Sequence, residues 1–275
     1  MHRMLKARLA QPFATVNLPV PPAGFPERYR GLPAVRPELC PAGCRECADV
    51  CPSQAIEVAP LRLDLGRCVF CGECARACPA DAISFTRESR QAVSTREALV
   101  LEGAASPGTA GANPPGAGGS PGAPPGQLPR ELQLAHALDE KTRSLFGRSL
   151  RLRAVCAGAC NGCDAELVAL GNVVFDLGRY GVQFVASPRH ADGLVVTGPV
   201  TRNMDAALRE TWEAVPEPKL VIAVGACAIS GGVFRESPEQ RGGVHGMLPV
   251  DLYVPGCPPH PLTILDGILR LLGRL

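Results

Sequence analysis

A repeated cysteine pattern constrains the first third of the chain more than any other feature of the sequence. The segment CRECADVCPSQAIEV (44–58) aligns with CGECARACPADAISF (71–85), and the two copies lie 27 residues apart. Both copies share the pattern C-x-E-C-A-x-x-C-P-x-x-A-I, which indicates a duplicated half-domain. Cysteines packed this densely indicate that the repeat folds around a metal group.

The second copy has the spacing of the bacterial ferredoxins. From Cys68 onward the gaps between cysteines are two, two and three residues, and a proline follows Cys78. In such a run three thiolates of one loop bind three corners of a [4Fe–4S] cube, and the fourth cysteine binds the other cluster. The first copy has one additional residue between Cys40 and Cys44, which makes Cys40 the least regular ligand.

This crossover rule divides eight cysteines between two predicted clusters. The ligands of the first are Cys40, Cys44, Cys47 and Cys78, and those of the second are Cys51, Cys68, Cys71 and Cys74. The alternative is zinc, but zinc motifs usually place two cysteine pairs a dozen or more residues apart. The region of about 28–90 resembles the two-cluster ferredoxin subunits of respiratory complex I and of formate hydrogenlyase-type complexes.

The composition changes abruptly after this region. Residues 103–129 carry no charge and consist almost entirely of Gly, Pro, Ala and Ser. Such a segment cannot bury enough apolar surface to fold, so it is predicted to be a linker. The predicted organisation is a Pro-rich extension without elements of its own (1–39), a ferredoxin domain (40–102), the linker and an α/β domain (130–275). A loose linker leaves the alignment of the two domains to docking surfaces or to a third protein.

Strands and helices alternate in the C-terminal part. A helix is expected over 130–146, and later elements follow from short apolar runs and helical spacing. Strands are predicted near 150–155, 182–186, 193–198, 219–224 and 251–254, and helices over 164–176, 201–214 and 261–273. This alternation predicts βαβ units and a parallel sheet.

The remaining cysteines lie where parallel strands end. Cys160 and Cys163 follow the first predicted strand, and Cys227 and Cys257 each follow a later one. The carboxyl ends of parallel strands share one edge of the sheet, so these four thiols are expected to converge there. Four thiols suit either a zinc ion or a [4Fe–4S] cluster. The neighbouring ferredoxin domain favours the cluster, because a third cluster would extend an electron path and a zinc ion would end it. Cys156 is predicted to be a small buried residue at a strand end.

Four motifs then identify a family resemblance over about 145–275. AGACNGCDAE, SPRHADGLVVTGPVT, VIAVGACAISGGVF and VPGCPPHP resemble, in order and context, the small subunits of energy-converting [NiFe] hydrogenases and formate hydrogenlyase-type complexes. The resemblance implies an α/β flavodoxin-like fold with a parallel sheet, following an α+β bacterial-type ferredoxin domain. It also implies a proximal [4Fe–4S] cluster, the third of the chain, bound by Cys160, Cys163, Cys227 and Cys257.

Three details of the sequence bear on this resemblance. Two residues separate Cys160 from Cys163, as in the hydrogenases, whereas the homologous complex I subunit has adjacent cysteines in this loop. His260 stands where an arginine is more usual, which would alter a partner contact. Glu166 matches an acidic residue of the family motif and is a candidate for proton transfer, although a carboxylate in the first turn also simply stabilises a helix.

The function implied by the resemblance is that of an oxidoreductase subunit that conducts electrons. It would pass them between a redox donor and the nickel–iron centre of a separate large subunit. The expected partners are a [NiFe]-hydrogenase-type large subunit, membrane-embedded antiporter-like subunits, and a formate dehydrogenase or ferredoxin as donor. Two alternatives remain: a [4Fe–4S] subunit of a complex I-like NADH/ferredoxin:quinone oxidoreductase, and a zinc-stabilised assembly scaffold.

Bulk properties exclude other classes and suggest a location. A net charge of +2 gives no reason to expect a nucleic-acid partner. The longest apolar run, residues 220–229, is shorter than the roughly 18 residues that cross a bilayer. No catalytic residue is predicted, because the sequence lacks an evident nucleophile–base pair or phosphate loop. The chain is therefore expected to be cytoplasmic and to lie on the inner face of the membrane through its partners.

Overall fold

The computed structural model describes residue 6, residues 15–103 and residues 149–275 of the chain. The predicted linker, apart from its first residue, and the helix predicted over 130–146 lie outside these ranges. The described part combines short antiparallel strands in its N-terminal region with a five-stranded parallel sheet in its C-terminal region. None of the helices in these ranges combines the length and the apolar composition that a membrane span requires.

The sequence repeat becomes a structural repeat in the N-terminal region. Each copy forms a short helix and then a strand: α1 (Glu46–Asp49) with β2 (Ile56–Val58), and α2 (Glu73–Ala77) with β4 (Ile83–Phe85). The remaining strands are β1 (Pro33–Val35), β3 (Leu61–Asp64) and β5 (Val100–Glu102). β1 pairs with β4, and β2, β3 and β5 form an antiparallel sheet. The segment before residue 40 thus contributes a strand, contrary to prediction.

The C-terminal region has the strand order of the flavodoxins. Its strands are β6 (Leu150–Cys156), β7 (Val182–Phe184), β8 (Gly193–Thr197), β9 (Leu220–Val224) and β10 (Leu252–Val254). All neighbours are parallel, in the order β10-β9-β8-β6-β7. In chain order this is the flavodoxin-like arrangement 2-1-3-4-5, in which the strand order reverses between β6 and β8. The predicted fold class is confirmed.

Both faces of this sheet are covered. The helices of the region are α3 (Gly162–Ala169), α4 (Arg202–Ala214), α5 (Ala226–Ser230) and α6 (Pro261–Leu271). Every residue of β8 and β9 is buried, as expected for central parallel strands. On one face, Val195 and Ile222 pack in a core with Ile264 of α6. On the other face, Leu194 shares a core with Leu63 of the ferredoxin region, so apolar packing runs through both regions.

The helix predicted over 164–176 ends seven residues early, at Ala169. The side chain of Asn172 explains the difference, because its Oδ1 accepts the backbone N–H groups of Val174 (2.8 Å) and Phe175 (3.1 Å). An asparagine that bonds its own following backbone offers an alternative to the helical pattern and favours a turn.

The ferredoxin region contacts the flavodoxin-like region directly. Val93 and Tyr253 exchange two backbone hydrogen bonds of 3.0 and 2.8 Å beside the edge strand β10. Ser230 Oγ of α5 donates to the carbonyl oxygen of Gly66 over 2.8 Å. A Cβ at Gly66 would lie 2.8 Å from Cγ2 of Ile229, so the two backbones approach closely. The linker does not set the relative position of the two regions. Direct contacts between their surfaces set it instead.

An N-terminal strap, residues 15–31, crosses the seam, which is the boundary where the ferredoxin region contacts the flavodoxin-like region. Val16 N–H donates to the carbonyl oxygen of Val174 over 2.8 Å in the flavodoxin-like region. At the other end, Arg30 Nη1 donates to the carbonyl oxygen of Phe70 over 3.1 Å in the ferredoxin region. The strap thus contacts both regions. The sequence had indicated only a Pro-rich segment that lies on a surface.

Candidate metal centres

The structure places the four cysteines assigned to the first cluster beside one another. Burial is the main cause that raises the pKa of the Cys47 thiol, and the neighbouring thiols of Cys78, Cys40 and Cys44 raise it further. The pKa of Cys40 is raised in the same way, by burial and by Cys44 and Cys78. Cys78 of the second copy therefore lies among the thiols of the first copy.

The extra residue of the first copy is accommodated by a turn. Cys44 N–H donates to the carbonyl oxygen of Pro41 over 3.1 Å, and Gly43 has a φ of 78°. Glycine adopts this left-handed conformation without a steric penalty. The bend keeps Cys40 within the group despite its irregular spacing.

The four cysteines assigned to the second cluster line one cavity, together with apolar side chains that include Ile56. They are Cys51, Cys68, Cys71 and Cys74. Burial raises the pKa values of Cys68 and Cys74 to about 12, and neighbouring thiols of the same group contribute to both shifts. Deprotonating thiols in such a place requires a compensating cation, and an iron–sulfur cluster supplies one.

The fourth cysteine of each copy has the same backbone environment. Ala55 N–H donates to Sγ of Cys51 over 3.3 Å, and Ala82 N–H donates to Sγ of Cys78 over 3.2 Å. These two contacts are related by the 27-residue repeat. Hydrogen bonds to ligand sulfurs are one of the features that set cluster potentials.

The four cysteines of the proximal site converge at the carboxyl edge of the parallel sheet. Cys163 lies in α3 after β6, Cys227 in α5 after β9, and Cys257 after β10. Burial raises the pKa of Cys163 to about 12, and Cys227, Cys257 and Cys160 add to the shift. The pKa of Cys227 is raised to about 11 by burial and by Cys257 and Cys160. Loops distant in sequence thus meet at one site.

Glycines let the backbone approach these thiols. A Cβ at Gly225, where φ is 92°, would lie 2.5 Å from Sγ of Cys163. A Cβ at Gly232 would lie 2.9 Å from Sγ of Cys227. This space, together with four thiol donors, fits a [4Fe–4S] cluster. In the part of the chain that the structure describes, no three His, Cys, Asp or Glu side chains are arranged to hold a single metal ion.

Gly225 provides a test of this site that spares every ligand. Gly225→Ala is expected to prevent a cluster from binding at this site, because its methyl group would overlap Sγ of Cys163. Iron analysis should then show a loss of about four irons per chain. Gly242→Ala is the matched control: Gly242 has a similar φ of 81° but no atom lies within 4 Å of its Cβ position. Equal iron loss in both variants would show that backbone strain, not the site, is responsible.

The structure contradicts the predicted burial of Cys156. It ends β6 and its side chain is exposed, so the expectation of a buried residue is wrong. Neighbouring residues alternate between the faces of a strand, and the last position of β6 faces solvent. An exposed cysteine outside the three groups of four is useful as a control position.

Glu166 lies in α3 and is half-buried, and burial raises the pKa of its carboxyl group. It lines a cavity together with Tyr29 of the strap and His260. Proton transfer through Glu166 stays a prediction.

His260 makes a contact that the sequence did not reveal. Its Nδ1 accepts the Leu262 N–H at the start of α6 over 3.1 Å. Its ring lies edge-on to the rings of Phe25, Tyr29 and Phe175, with centroids 5.6 to 6.0 Å apart. Burial lowers the pKa of His260. Where an arginine was expected to meet a partner, a neutral imidazole packs against the chain's own strap.

Comparison with known proteins identifies the family. Residues 160–271 match the family described as "NADH ubiquinone oxidoreductase, 20 Kd subunit", and residues 61–84 match the 4Fe-4S binding domain. The probable membrane-bound hydrogenase subunit mbhJ of Pyrococcus furiosus is 47% identical over 130 residues, which cover 47% of this chain and 78% of that protein. The chain belongs to the 20 Kd subunit family.

Other relatives of this chain belong to two further kinds of complex. Formate hydrogenlyase subunit 7 of Escherichia coli is 44% identical over 128 residues, covering 46% of this chain and 50% of that protein. An NADH-quinone oxidoreductase subunit of Geotalea daltonii is 47% identical over 113 residues, covering 41% of this chain and 66% of that protein. The predicted resemblance is confirmed, and the chain is an iron–sulfur subunit of the oxidoreductase class.

Proposed function

We propose that this chain is an electron-transfer subunit that carries three [4Fe–4S] clusters. It passes electrons between a redox donor and the [NiFe] centre of a separate large subunit. The observation that carries the proposal is the gathering of twelve cysteines into three groups of four by burial and mutual proximity. When bound, each cluster would supply a one-electron redox centre.

The residues of the chain have three tasks in this proposal. The twelve thiolates hold the clusters, in the groups that the sequence analysis assigned. Buried apolar side chains such as Ile56 and Leu63 exclude water from the second site. Backbone N–H groups of Ala55 and Ala82 donate to ligand sulfurs and so favour the reduced state of the sites they face.

Contacts across the seam support an order in which the second cluster lies between the first cluster and the proximal cluster. Gln54, three residues after Cys51, accepts from Arg235 Nη2 over 2.6 Å. Phe70, between two ligands of the second cluster, shares a cavity with Pro258, which follows Cys257. These contacts involve the second-cluster side of the ferredoxin region, so the proposed order brings that cluster next to the proximal one.

The proposed partners follow from the relatives and from the exposed edge of the proximal site. Cys160 and Cys257 are exposed, and we assign this face to the large subunit. The names of the relatives support a membrane-bound hydrogenase or a formate hydrogenlyase-like complex as the assembly. The antiporter-like membrane subunits and a formate dehydrogenase or ferredoxin as donor are proposed from the family resemblance of the sequence alone. The chain would then lie on the cytoplasmic face of the membrane through these partners.

The alternative assembly is a complex I-like oxidoreductase, which the NADH-quinone oxidoreductase relatives favour. The two-residue gap between Cys160 and Cys163 favours the hydrogenase type. Sequencing the co-purifying large subunit separates the two, because only the hydrogenase type carries nickel-binding cysteines.

The proposed domain division is the one made from the sequence, with β1 joined to the ferredoxin domain.

Iron and acid-labile sulfide analysis of anaerobically purified chain tests the cluster count. Three cubes require about twelve irons and about twelve sulfides per chain. About eight of each would mean that one site is empty or differently occupied. Zinc with little sulfide would refute the proposal and support the scaffold alternative.

A further inference from the structure

Arg30 of the strap lies against the loop that carries three of the cysteines assigned to the second cluster. Its Nη1 donates to the carbonyl oxygen of Phe70 over 3.1 Å, and a Cβ added at Gly72 would lie 3.0 Å from its Nε. Phe70 and Gly72 are the two sequence neighbours of Cys71. The guanidinium group of Arg30 therefore contacts the backbone on both sides of one proposed ligand.

The two neighbours of Arg30 in the strap hold its backbone in place. The ring of Tyr29 stacks on the ring of Phe25, with centroids 4.4 Å apart. On the other side, Gly31 N–H donates to the carbonyl oxygen of Thr86 over 2.8 Å. Arg30 itself is exposed, but its backbone is anchored and its head group is hydrogen-bonded. Its positive charge therefore stays beside the Cys71 loop.

This charge is not neutralised by an ion pair. In the part of the chain that the structure describes, no carboxylate pairs with Arg30. The carboxylate of Glu88, whose backbone lies against Gly31, is paired instead with Arg90 over 2.7 Å. An arginine stays protonated in proteins, so the charge of Arg30 is permanent.

The position of Arg30 also places this charge at the seam. Arg30 lines a cavity together with Gly256 and Pro258, which are the two sequence neighbours of Cys257 in the proximal site. One cation thus lies between a ligand loop of the second site and a ligand loop of the proximal site.

We propose that Arg30 raises the reduction potential of the second cluster, an inference that rests on the proposed electron-transfer function. Reduction adds one negative charge to a [4Fe–4S] cluster, and net charge is one of the features that set its potential. A nearby cation stabilises the more negative form, by the same physics that favours ionised carboxylates beside arginine. The first cluster provides an internal reference, because its ligands lie outside the loop that Arg30 contacts.

The substitution Arg30→Gln removes this charge and tests its effect. A redox titration of the anaerobically purified full chain, followed by electron paramagnetic resonance, should show a lower potential for the second cluster. At a fixed applied potential, the ratio of reduced to oxidised second cluster should fall about two- to fivefold, the scale of one exposed charge pair. This equals about 20–40 mV, because a tenfold change is 59 mV for a one-electron couple. The potential of the first cluster should not change.

Two further variants separate the charge of Arg30 from the shape of its side chain. Arg30→Lys keeps the charge and should keep the potential of the second cluster. Arg28→Gln is the matched control, because it removes an equal charge from an exposed position of the same strap. The proposal would be overturned by a shift in Arg30→Gln no larger than in Arg28→Gln, or by an equal shift in Arg30→Lys. Loss of about four irons in Arg30→Gln would also overturn it, because the arginine would then hold the loop and not tune the cluster.

Iron and sulfide analysis of the same samples distinguishes this inference from the proposed function. The resonance signal of the second cluster is identified as the one that Cys71→Ser removes. A loaded second cluster with an unshifted potential in Arg30→Gln would refute only the role of Arg30. Zinc with little sulfide in the unaltered chain would refute both.

Discussion

Cys257→Ser is expected to remove about four of about twelve irons per chain and to leave the two ferredoxin clusters intact. Cys257 stands among the proximal thiols and contributes to the raised pKa values of Cys163 and Cys227. The ferredoxin thiols form their own groups on separate loops. Removing one proximal ligand should therefore damage only one site.

Electron paramagnetic resonance of the reduced chain, combined with iron analysis, measures this outcome. Electron delivery from the donor to the large subunit should also be lost, because the proximal cluster is the last site of the proposed path. Cys156→Ser is the matched control, since Cys156 is an exposed cysteine of the same region outside the three groups. Loss of all three signals in Cys257→Ser would show that the sites do not assemble independently.

Cys78→Ser is expected to remove the first cluster, although Cys78 belongs to the second copy of the repeat. The structure places it beside Cys40 and Cys47, and its thiol contributes to their raised pKa values. Serine is a poor ligand for iron, so that cluster should be lost while the second cluster remains. The iron content should fall by about four per chain.

Two further variants identify which cluster survives. Cys44→Ser removes a ligand of the first cluster and Cys71→Ser removes a ligand of the second. These two assignments hold whether or not the fourth cysteine of each copy crosses to the other cluster. The residual resonance spectrum of Cys78→Ser should match that of Cys44→Ser, and the reciprocal variant Cys51→Ser should match Cys71→Ser. A Cys78→Ser spectrum that matches Cys71→Ser instead would refute the crossover.

The features that depend on local spacing could be predicted from the sequence. The 27-residue repeat predicted two copies of a helix and strand, and the alternation of apolar runs predicted a parallel sheet. Ligand spacing and strand periodicity act over a few residues, so a linear pattern records them.

Long-range contacts set how the two regions meet. The pairing of Val93 with Tyr253 and the aromatic packing around His260 join residues more than 80 positions apart. Such contacts leave no period in the sequence, because each depends on the shape of a surface that forms only after folding. The same holds for Cys156, whose exposure is set by what the rest of the chain leaves uncovered at the end of β6. Local patterns therefore specify the sites, and long-range packing specifies their alignment.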